Sequence, residues 1–311
     1  MSSSSTEAAS TGQPLLSVVV VAFNDQDLLS RCLTGLTHEI TGHDVEALVV
    51  SDWQRPSGRP SDALRSAFHR IRWIEAPRNS TVPRMRAMGV EISRGDIVAL
   101  IEDDCIVQRG WYDALVSAHR TSASAVGGAV EPGAYRRGLD WAVYFCDYGR
   151  FMLPLAAGPA VALAGNNMSY KRDALMRLPS ALTYELLEVF VHEAWQRDGT
   201  PMRTDPAVVV TNAHSWTLAD VTRIPYHHAR AFAGRRLSHA SPWRRRVMGV
   251  AALAFPVLKV LRVVREVALR RRRFVALCRA LPWVVVLAVS WSIGESVGYL
   301  SGPGESASQW R

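Results

Sequence analysis

The sequence predicts an α/β fold, a mostly parallel sheet with helices on both faces, followed by a C-terminal helical extension. Three observations predict it. Short runs rich in Val, Leu and Ile alternate with segments of helical periodicity, the pattern of repeated βα units. Each run stops on a polar or acidic residue, at the strand ends where open sheets of this kind bind ligands. After residue 240 the chain changes character, and two apolar stretches are bracketed by clusters of Arg.

Taken in order, LLSVVVVAF (15–23) is a continuous β-branched run of the kind a strand buried on both faces requires, and it ends at Asn24 and Asp25. DLLSRCLTGL follows with helical periodicity. VEALVVSDW gives a second strand ending at Asp52, and the polar SGRPSD leads into a helix over ALRSAFHRI. IRWIEA is a third, short strand. In PRNSTVPRMRAMGVEISRG the later part reads as a helix closed by Gly95. The fourth strand, IVALIED, runs into Glu102, Asp103 and Asp104. Because side chains alternate along a strand, Glu102 and Asp104 are expected on one side at the rim of the sheet. Two carboxylates there suit a hard divalent cation such as one carrying a diphosphate, with a solvated acidic turn as the simpler alternative.

A chain of 311 residues, 48% apolar and 21% charged, has room for one large domain and an appendage. Residues 14–240 are expected to form that domain and 241–300 a basic, apolar helical segment. The small polar residues 1–13 read as a flexible tail without the apolar core of a signal peptide, so a cytoplasmic chain is expected; 301–311 read as a second flexible tail. Cys32, Cys105, Cys146 and Cys278 are scattered, with no CxxC and no zinc spacing, and are expected as free thiols.

The net charge of +8 is unevenly distributed. Residues 1–222 hold 20 Lys and Arg against 25 Asp and Glu, whereas residues 223–279 hold 15 against Glu266 alone. Arg244 to Arg246 and Arg270 to Arg273 flank the apolar MGVAALAFPVLKVLRVV. That arrangement points to an anionic lipid surface and away from nucleic acid, whose binders spread cations over a folded reading surface.

The ordered series VVVAFN, VVSD, SRGDIVALIEDD, GWYDAL, GGAVEP, AGNNMSYKRDAL and ELLEVFVHEAWQRDG resembles family 2 glycosyltransferases over roughly residues 15–240. The resemblance implies a GT-A (Rossmann-like) fold, a nucleotide-sugar donor and a divalent cation, Mg2+ or Mn2+. It implies donor contacts at Ala22, Asn24, Asp52, Arg86, Glu102 and Asp103. Asp52 would accept from a nucleobase N–H, or simply cap a turn. Arg86 would meet the diphosphate, although Ala87 stands where the family carries Asn. Asp104 would bind the metal, and His214, beyond the strand AVVVTN, would assist it or serve structure. Counting back from Gly199, Glu188 takes the place of the catalytic base, with Leu187 where relatives carry Glu. Glu185, His192 and Glu193 compete with it. Gly165 and Asn166 would approach the diphosphate or the acceptor. Trp111 would offer a face to the acceptor sugar or fill the core, and the aromatic run 141–151 would line the acceptor cleft.

The apolar runs 247–258 and 283–293 are each short for a spanning helix of about 20 residues. A two-span hairpin would carry Arg270 to Arg273 across the bilayer, against the positive-inside tendency. The expectation is therefore helices lying in the cytoplasmic leaflet, anchored by the Arg clusters, Trp243 and Trp283, with packing on the domain or a single span from Phe274 to Ile293 as alternatives. The function these readings imply is metal-dependent, inverting transfer of a sugar to a glycan or lipid-linked acceptor at the inner membrane face. A soluble acceptor, or a silent relative that only binds a sugar nucleotide, is the alternative.

Overall fold

In the computed structural model, which describes residues 14–55, 58–179 and 184–309, β1 (Leu16–Ala22) is buried along its whole length. The expected tail at 1–13 lies outside the described residues. Val18 and Val20 enter one apolar core while Val19 and Val21 enter the other, so the unbroken β-branched run reflects burial on both faces of one sheet. β2 (Val45–Ser51) and β4 (Ile97–Glu102) pair with β1 in parallel, and β3 (Arg72–Glu75) extends β2.

Beyond β4 the sheet becomes mixed. β8 (Asn167–Lys171) is antiparallel to β4, β6 (Ala125–Pro132) is antiparallel to β8, and β9 (Met202–Asn212) is parallel to β6. β5 (Cys105–Val107) and β7 (Gly158–Pro159) both pair with β9 in antiparallel fashion. Among the described residues the order is β3-β2-β1-β4-β8-β6-β9-β5. Helix α1 (Gln26–Ile40) packs Leu29, Cys32 and Leu36 on one face, and α3 (Val82–Ile92) packs Met85 and Val90 on the other.

Two expected boundaries shift. Helix α2 (Asp62–Ala67) stops before Phe68, whose φ of −116° and ψ of 49° leave the helix so that Ile71 can enter the core ahead of β3. Helix α3 ends at Ser93, not at Gly95. Gly95 answers a different need: a Cβ there would lie 2.4 Å from the Ser17 amide nitrogen, and its own N–H donates to Ser17 Oγ at 2.7 Å.

The second half of the sheet is joined by one buried amide. Asn167 donates from Nδ2 to the carbonyls of Ala129 and Val208, and accepts from the indole N–H of Trp111 at 3.1 Å. It thereby ties β6, β8 and β9 to α4 (Trp111–His119). Further elements of this half are α5 (Gly138–Asp147), α6 (Arg172–Met176) and α7 (Glu188–Asp198).

The C-terminal segment is a helical hairpin on the domain. α8 (Asp220–Arg236) and α5 receive one side of α11 (Phe274–Ser301). Gly294 and Gly298 permit this approach, since a Cβ at either would fall 2.1 and 2.5 Å from the carbonyls of Tyr226 and Arg230. α9 (Pro242–Ala251) and α10 (Phe255–Arg270) run across the outside. By length and composition both 242–270 and 274–301 are apolar enough to cross a membrane. Trp243, Val250, Val257, Leu261, Val285 and Val289 are exposed along them.

Two of the clustered arginines are engaged with the domain itself. Arg270 donates to the carbonyls of Met152 and Arg150, and Arg272 pairs with Glu131 at 2.9 Å and donates to the Leu153 carbonyl. These two guanidiniums clamp the hairpin to the domain, while Arg244, Arg246, Arg262, Arg265 and Arg271 remain exposed. The C-terminal stretch expected as a loose tail turns at Ser306–Ser308, with Ser306 buried and hydrogen-bonded to His227.

His119 is 5% exposed and shares a 2.7 Å hydrogen bond with Ser169; burial, with Lys171 nearby, lowers its pKa to about 4. Between about pH 6.5 and 4 the unfolded chain binds a proton that the folded one refuses, so stability falls as pH falls. At about 1.4 kcal/mol per pH unit, the loss from this group approaches about 3 kcal/mol at pH 4. Urea unfolding at pH 7 and pH 4.5 should show a smaller difference for His119→Gln than for the parent; an equal difference would remove His119 from the account.

Candidate active site

Asp103 ties the end of β4 to the end of β1, and Arg86 joins Glu102 of β4 to Glu188 at the N-terminus of α7. At the end of β4 three consecutive carboxylates take three different partners, because the chain turns at Asp103 and the alternation of a strand stops at Glu102. Glu102 and Asp104 take different hydrogen-bond partners while remaining within electrostatic reach of each other.

Asp103 fixes the backbone. Its carboxylate accepts from the amides of Phe23 and Asn24 at 2.9 and 2.8 Å and from Asn24 Nδ2 at 2.7 Å. Asn24 and Asp103 therefore hold each other across the ends of β1 and β4, with Ala22 buried just behind them. Asp104 accepts from Asn212 Nδ2 at 2.9 Å and from the Cys105 thiol at 3.2 Å. The Ala213 amide also donates to the Asp104 carbonyl at 2.8 Å, which brings His214 beside Asp104. The His214 ring packs edge-on against Trp216, and its Nδ1 is buried with no hydrogen-bond partner among the described residues.

Glu102 turns to Arg86. The guanidinium of Arg86 lies 2.6 Å from Glu102 and 2.7 Å from Glu188, and it donates to the Gly165 carbonyl at 3.0 Å. Arg86 is 6% exposed, so one buried cation joins the acidic turn, the β8 loop and the first residue of α7. Burial opposes its charge, but Glu188 and Glu102 together hold it more firmly protonated than usual. The two carboxylates diverge. Burial lifts Glu102 to about 7 against the pull of Arg86, with Asp104 and Glu188 adding to the rise. For Glu188 burial acts in the same sense, yet Arg86 outweighs it and the carboxyl stays below its ordinary value.

Gly165 is a matter of space. A Cβ there would lie 2.9 Å from Glu188 Oε1 and 3.2 Å from Arg86 Nη2. Next to it Asn166 is 1% exposed, and neither its Oδ1 nor its Nδ2 has a partner among the described residues. Buried amides are normally paired, so this side chain is available to a water or to a ligand's polar groups.

The competitors for the base are otherwise engaged. Glu185 pairs with Arg235 and accepts from Thr81. Glu193 pairs with Arg197 on the surface. His192 is 2% exposed and bonded to the Tyr170 hydroxyl at 3.0 Å. Asp52 does cap a turn: Oδ1 accepts from the Gln54 amide and Oδ2 from the Asn79 amide at 2.7 Å. Trp111 is 1% exposed and bonded to Asn167, so it offers no face to a sugar. In the aromatic run, Trp141, Tyr144 and Phe145 pack into the core, whereas Val143, Cys146 and Asp147 line a cavity. Asn212 was not singled out in the sequence; its position at the end of the strand before His214 was the available signal.

The family model for glycosyl transferase family 2 matches residues 17–178, and the chain belongs to that family. Its fold is GT-A. A glucosyl-dolichyl phosphate glucuronosyltransferase of Haloferax volcanii is 30% identical over 112 residues, covering 32% of this chain and 34% of the relative. Glycosyltransferase GlyG of Streptococcus pneumoniae serotype 4 is 24% identical over 102 residues, covering the same shares. The matches thus span about a third of each relative's length. Among solved structures, the mannosyltransferase PcManGT from Pyrobaculum calidifontis, in complex with GDP-Man and Mn2+, superimposes with a TM-score of 0.52 at 16% identity, covering 90% of this chain and 88% of that one.

Replacing Arg86 by Gln leaves two buried carboxylates facing each other, and breaking a buried pair in this way costs about 3–5 kcal/mol. Urea unfolding should show that loss, and Arg86→Gln combined with Glu102→Gln should recover a part of it through coupling. A loss under about 1 kcal/mol would mean that Arg86 does not hold the site together.

Proposed function

We propose that the protein transfers a sugar from a nucleotide-sugar donor to a hydroxyl of a lipid-linked or glycan acceptor at a membrane face, with inversion at the anomeric carbon. The observation that carries this reading is the Glu102, Arg86, Glu188 bridge, which links the acidic turn to a carboxylate at the start of α7, next to Gly165 and Asn166, whose side-chain amide has no partner among the described residues.

A divalent cation fits the residues present. Asp104 keeps lone pairs beyond its bonds to Asn212 and Cys105, and the buried His214 Nδ1 lacks a partner among the described residues. No group of three or more His, Cys, Asp or Glu gathers as a cage among the described residues. An ion held here by Asp104 and His214 would be completed by diphosphate oxygens and water, the usual mode for Mg2+. When bound, such an ion neutralises charge on the departing diphosphate.

The chain's own groups supply the rest. Asp52 and Asn24 shape the ends of β2 and β1 around the nucleoside. Glu188 accepts the proton of an incoming hydroxyl. In the ion pair it is ionised, as a base must be, but weakened; a diphosphate gives Arg86 a more highly charged anion to face, and turning toward it restores basicity to Glu188. Gly165 leaves the room for that movement, and Asn166 directs its amide to the substrate.

The exposed apolar residues of α9 to α11, interleaved with Arg244, Arg246, Arg262 and Arg265, support an in-plane association with anionic lipid. The resulting location is the cytoplasmic side of a membrane.

Titration calorimetry with UDP-, GDP-, TDP- and CDP-sugars, with and without Mn2+, should find one donor whose metal-dependent binding is lost in Asp104→Ala. Glu188→Gln should retain donor affinity while transfer falls by about 10²–10⁴, the contribution of a general base. Undiminished transfer by Glu188→Gln would overturn the assignment of the base, and absence of binding to every donor would favour a silent relative.

A further inference from the structure

The segment 146–153 lies between the candidate site and α10. Tyr148 is within electrostatic reach of Glu102 and Asp104, and Arg150 is within reach of Glu188. From the other side α10 holds the same segment by its backbone. Lys259 donates to the Cys146 carbonyl at 2.6 Å, and Arg270 donates to the carbonyls of Arg150 and Met152. Lys259, Arg262, Glu266 and Arg270 follow one another at helical spacing, so Arg262 belongs to the stripe of α10 that faces this segment.

The charges along this seam do not balance. Glu266 is the only acidic residue of α10, and it is paired with Arg270. Arg262 is exposed and Arg150 half-buried, and neither guanidinium has a hydrogen-bond acceptor or an ion-pair partner among the described residues. That of Arg150 instead lies over the neighbouring Phe151 ring, 4.5 Å from its centroid. Burial and the like charge of Arg262 pull the Arg150 pKa down, against the attraction of Glu188 and Glu266. Two cations held together in a partly desolvated seam are costly until an anion joins them. On α10 the exposed Leu258, Leu261 and Val264 surround Arg262, so the pair stands between an apolar helix surface and the neighbourhood of the base.

We infer that Arg150 and Arg262 together hold the phosphate that joins the acceptor's sugar to its lipid. Each guanidinium presents a fork of N–H donors, and two forks suit the several oxygens of a phosphate better than a single carboxylate. Apolar helix surface beside Arg262 gives the lipid its side of that phosphate. Glu188, within reach of Arg150, gives the sugar hydroxyl the other. A bilayer phospholipid would engage Arg262 no differently from the other exposed arginines, whereas Arg150 favours the phosphate of the molecule that reacts at Glu188. The inference rests on the reading of the protein as a transferase with a lipid-linked acceptor.

The test titrates farnesyl phosphate and farnesol separately into the full chain in phosphatidylcholine nanodiscs, followed by calorimetry. Farnesyl phosphate should bind more tightly than farnesol by about tenfold or more. Arg150→Gln and Arg262→Gln should each weaken that binding about tenfold, the worth of one charge-assisted hydrogen bond, and leave farnesol unchanged. Arg271→Gln removes the same charge from an exposed position at the end of α10 and should bind as the parent does. Since neither Arg150 nor Arg262 has an ion pair to lose, urea unfolding of both variants should match the parent; a lower midpoint in either would make its role structural and overturn the inference. Equal affinity for the phosphate and the alcohol, an equal fall in all three variants, or equal competition by added phosphatidylglycerol would also overturn it. Nucleotide-sugar binding without phosphate-dependent binding would sink this inference alone. Phosphate binding that needs Arg150, in a protein that binds no nucleotide sugar, would sink the transferase reading and leave the pair as a lipid-phosphate site.

Discussion

The site depends on one buried cation. Arg86 sits on a helix face that is otherwise core, and a lone guanidinium there would be unsustainable without Glu102 and Glu188. Those carboxylates come from different parts of the chain, one from the end of a central strand and one from the first turn of α7. Satisfying the charge therefore fixes the distance between the end of β4 and the start of α7. Gly165 follows from the same constraint, because the chain that closes over the pair has no space for a side chain. Even the separation in proton affinity between Glu102 and Glu188 is a consequence of two acids sharing one partner in a buried setting.

How far this could be read from the sequence depends on whether a residue's role is set by its neighbours in the chain or by partners far away. The strand run of β1, the acidic turn after β4 and the parallel order of the first four strands were legible, since local pattern and burial agree there. So was the carboxylate at the start of α7. Trp111 was not, because its indole N–H is satisfied by Asn167, 56 positions later, and no local signal reports that bond. Gly95 looked like a helix terminator; its real constraint is the Ser17 backbone, on a strand nearly 80 residues earlier. The end of α2 was missed for a similar reason, as the need to bring Ile71 into the core overrides helical periodicity at Phe68.

Counting charges left the direction of each arginine open. Four consecutive arginines between two apolar helices suggest a surface that meets lipid, and composition cannot say which way each side chain points. Arg270 and Arg272 point inward and saturate carbonyls of the segment 150–153, together with Glu131. Arg271 and Arg273 adopt left-handed backbone angles, which turn the chain sharply between α10 and α11. The cluster is thus a hinge post first, and its share in any lipid contact is smaller than its count.

That clamp changes how the C-terminal helices should be understood. A pair of anchors merely tethered to a catalytic domain would leave the distance between membrane and active site to a linker. Here α11 is seated on α5 and α8 through glycine contacts, α10 is fixed by Arg270 and Lys259, and α8 begins eight residues after Asn212, the partner of Asp104. The apolar surface and the carboxylates are therefore parts of one packed body. Such rigidity is useful to an enzyme whose acceptor is held in a bilayer, because a reacting oxygen must meet its base within hydrogen-bond reach. Packing sets the depth of the site relative to the exposed apolar helices, and flexibility would blur it.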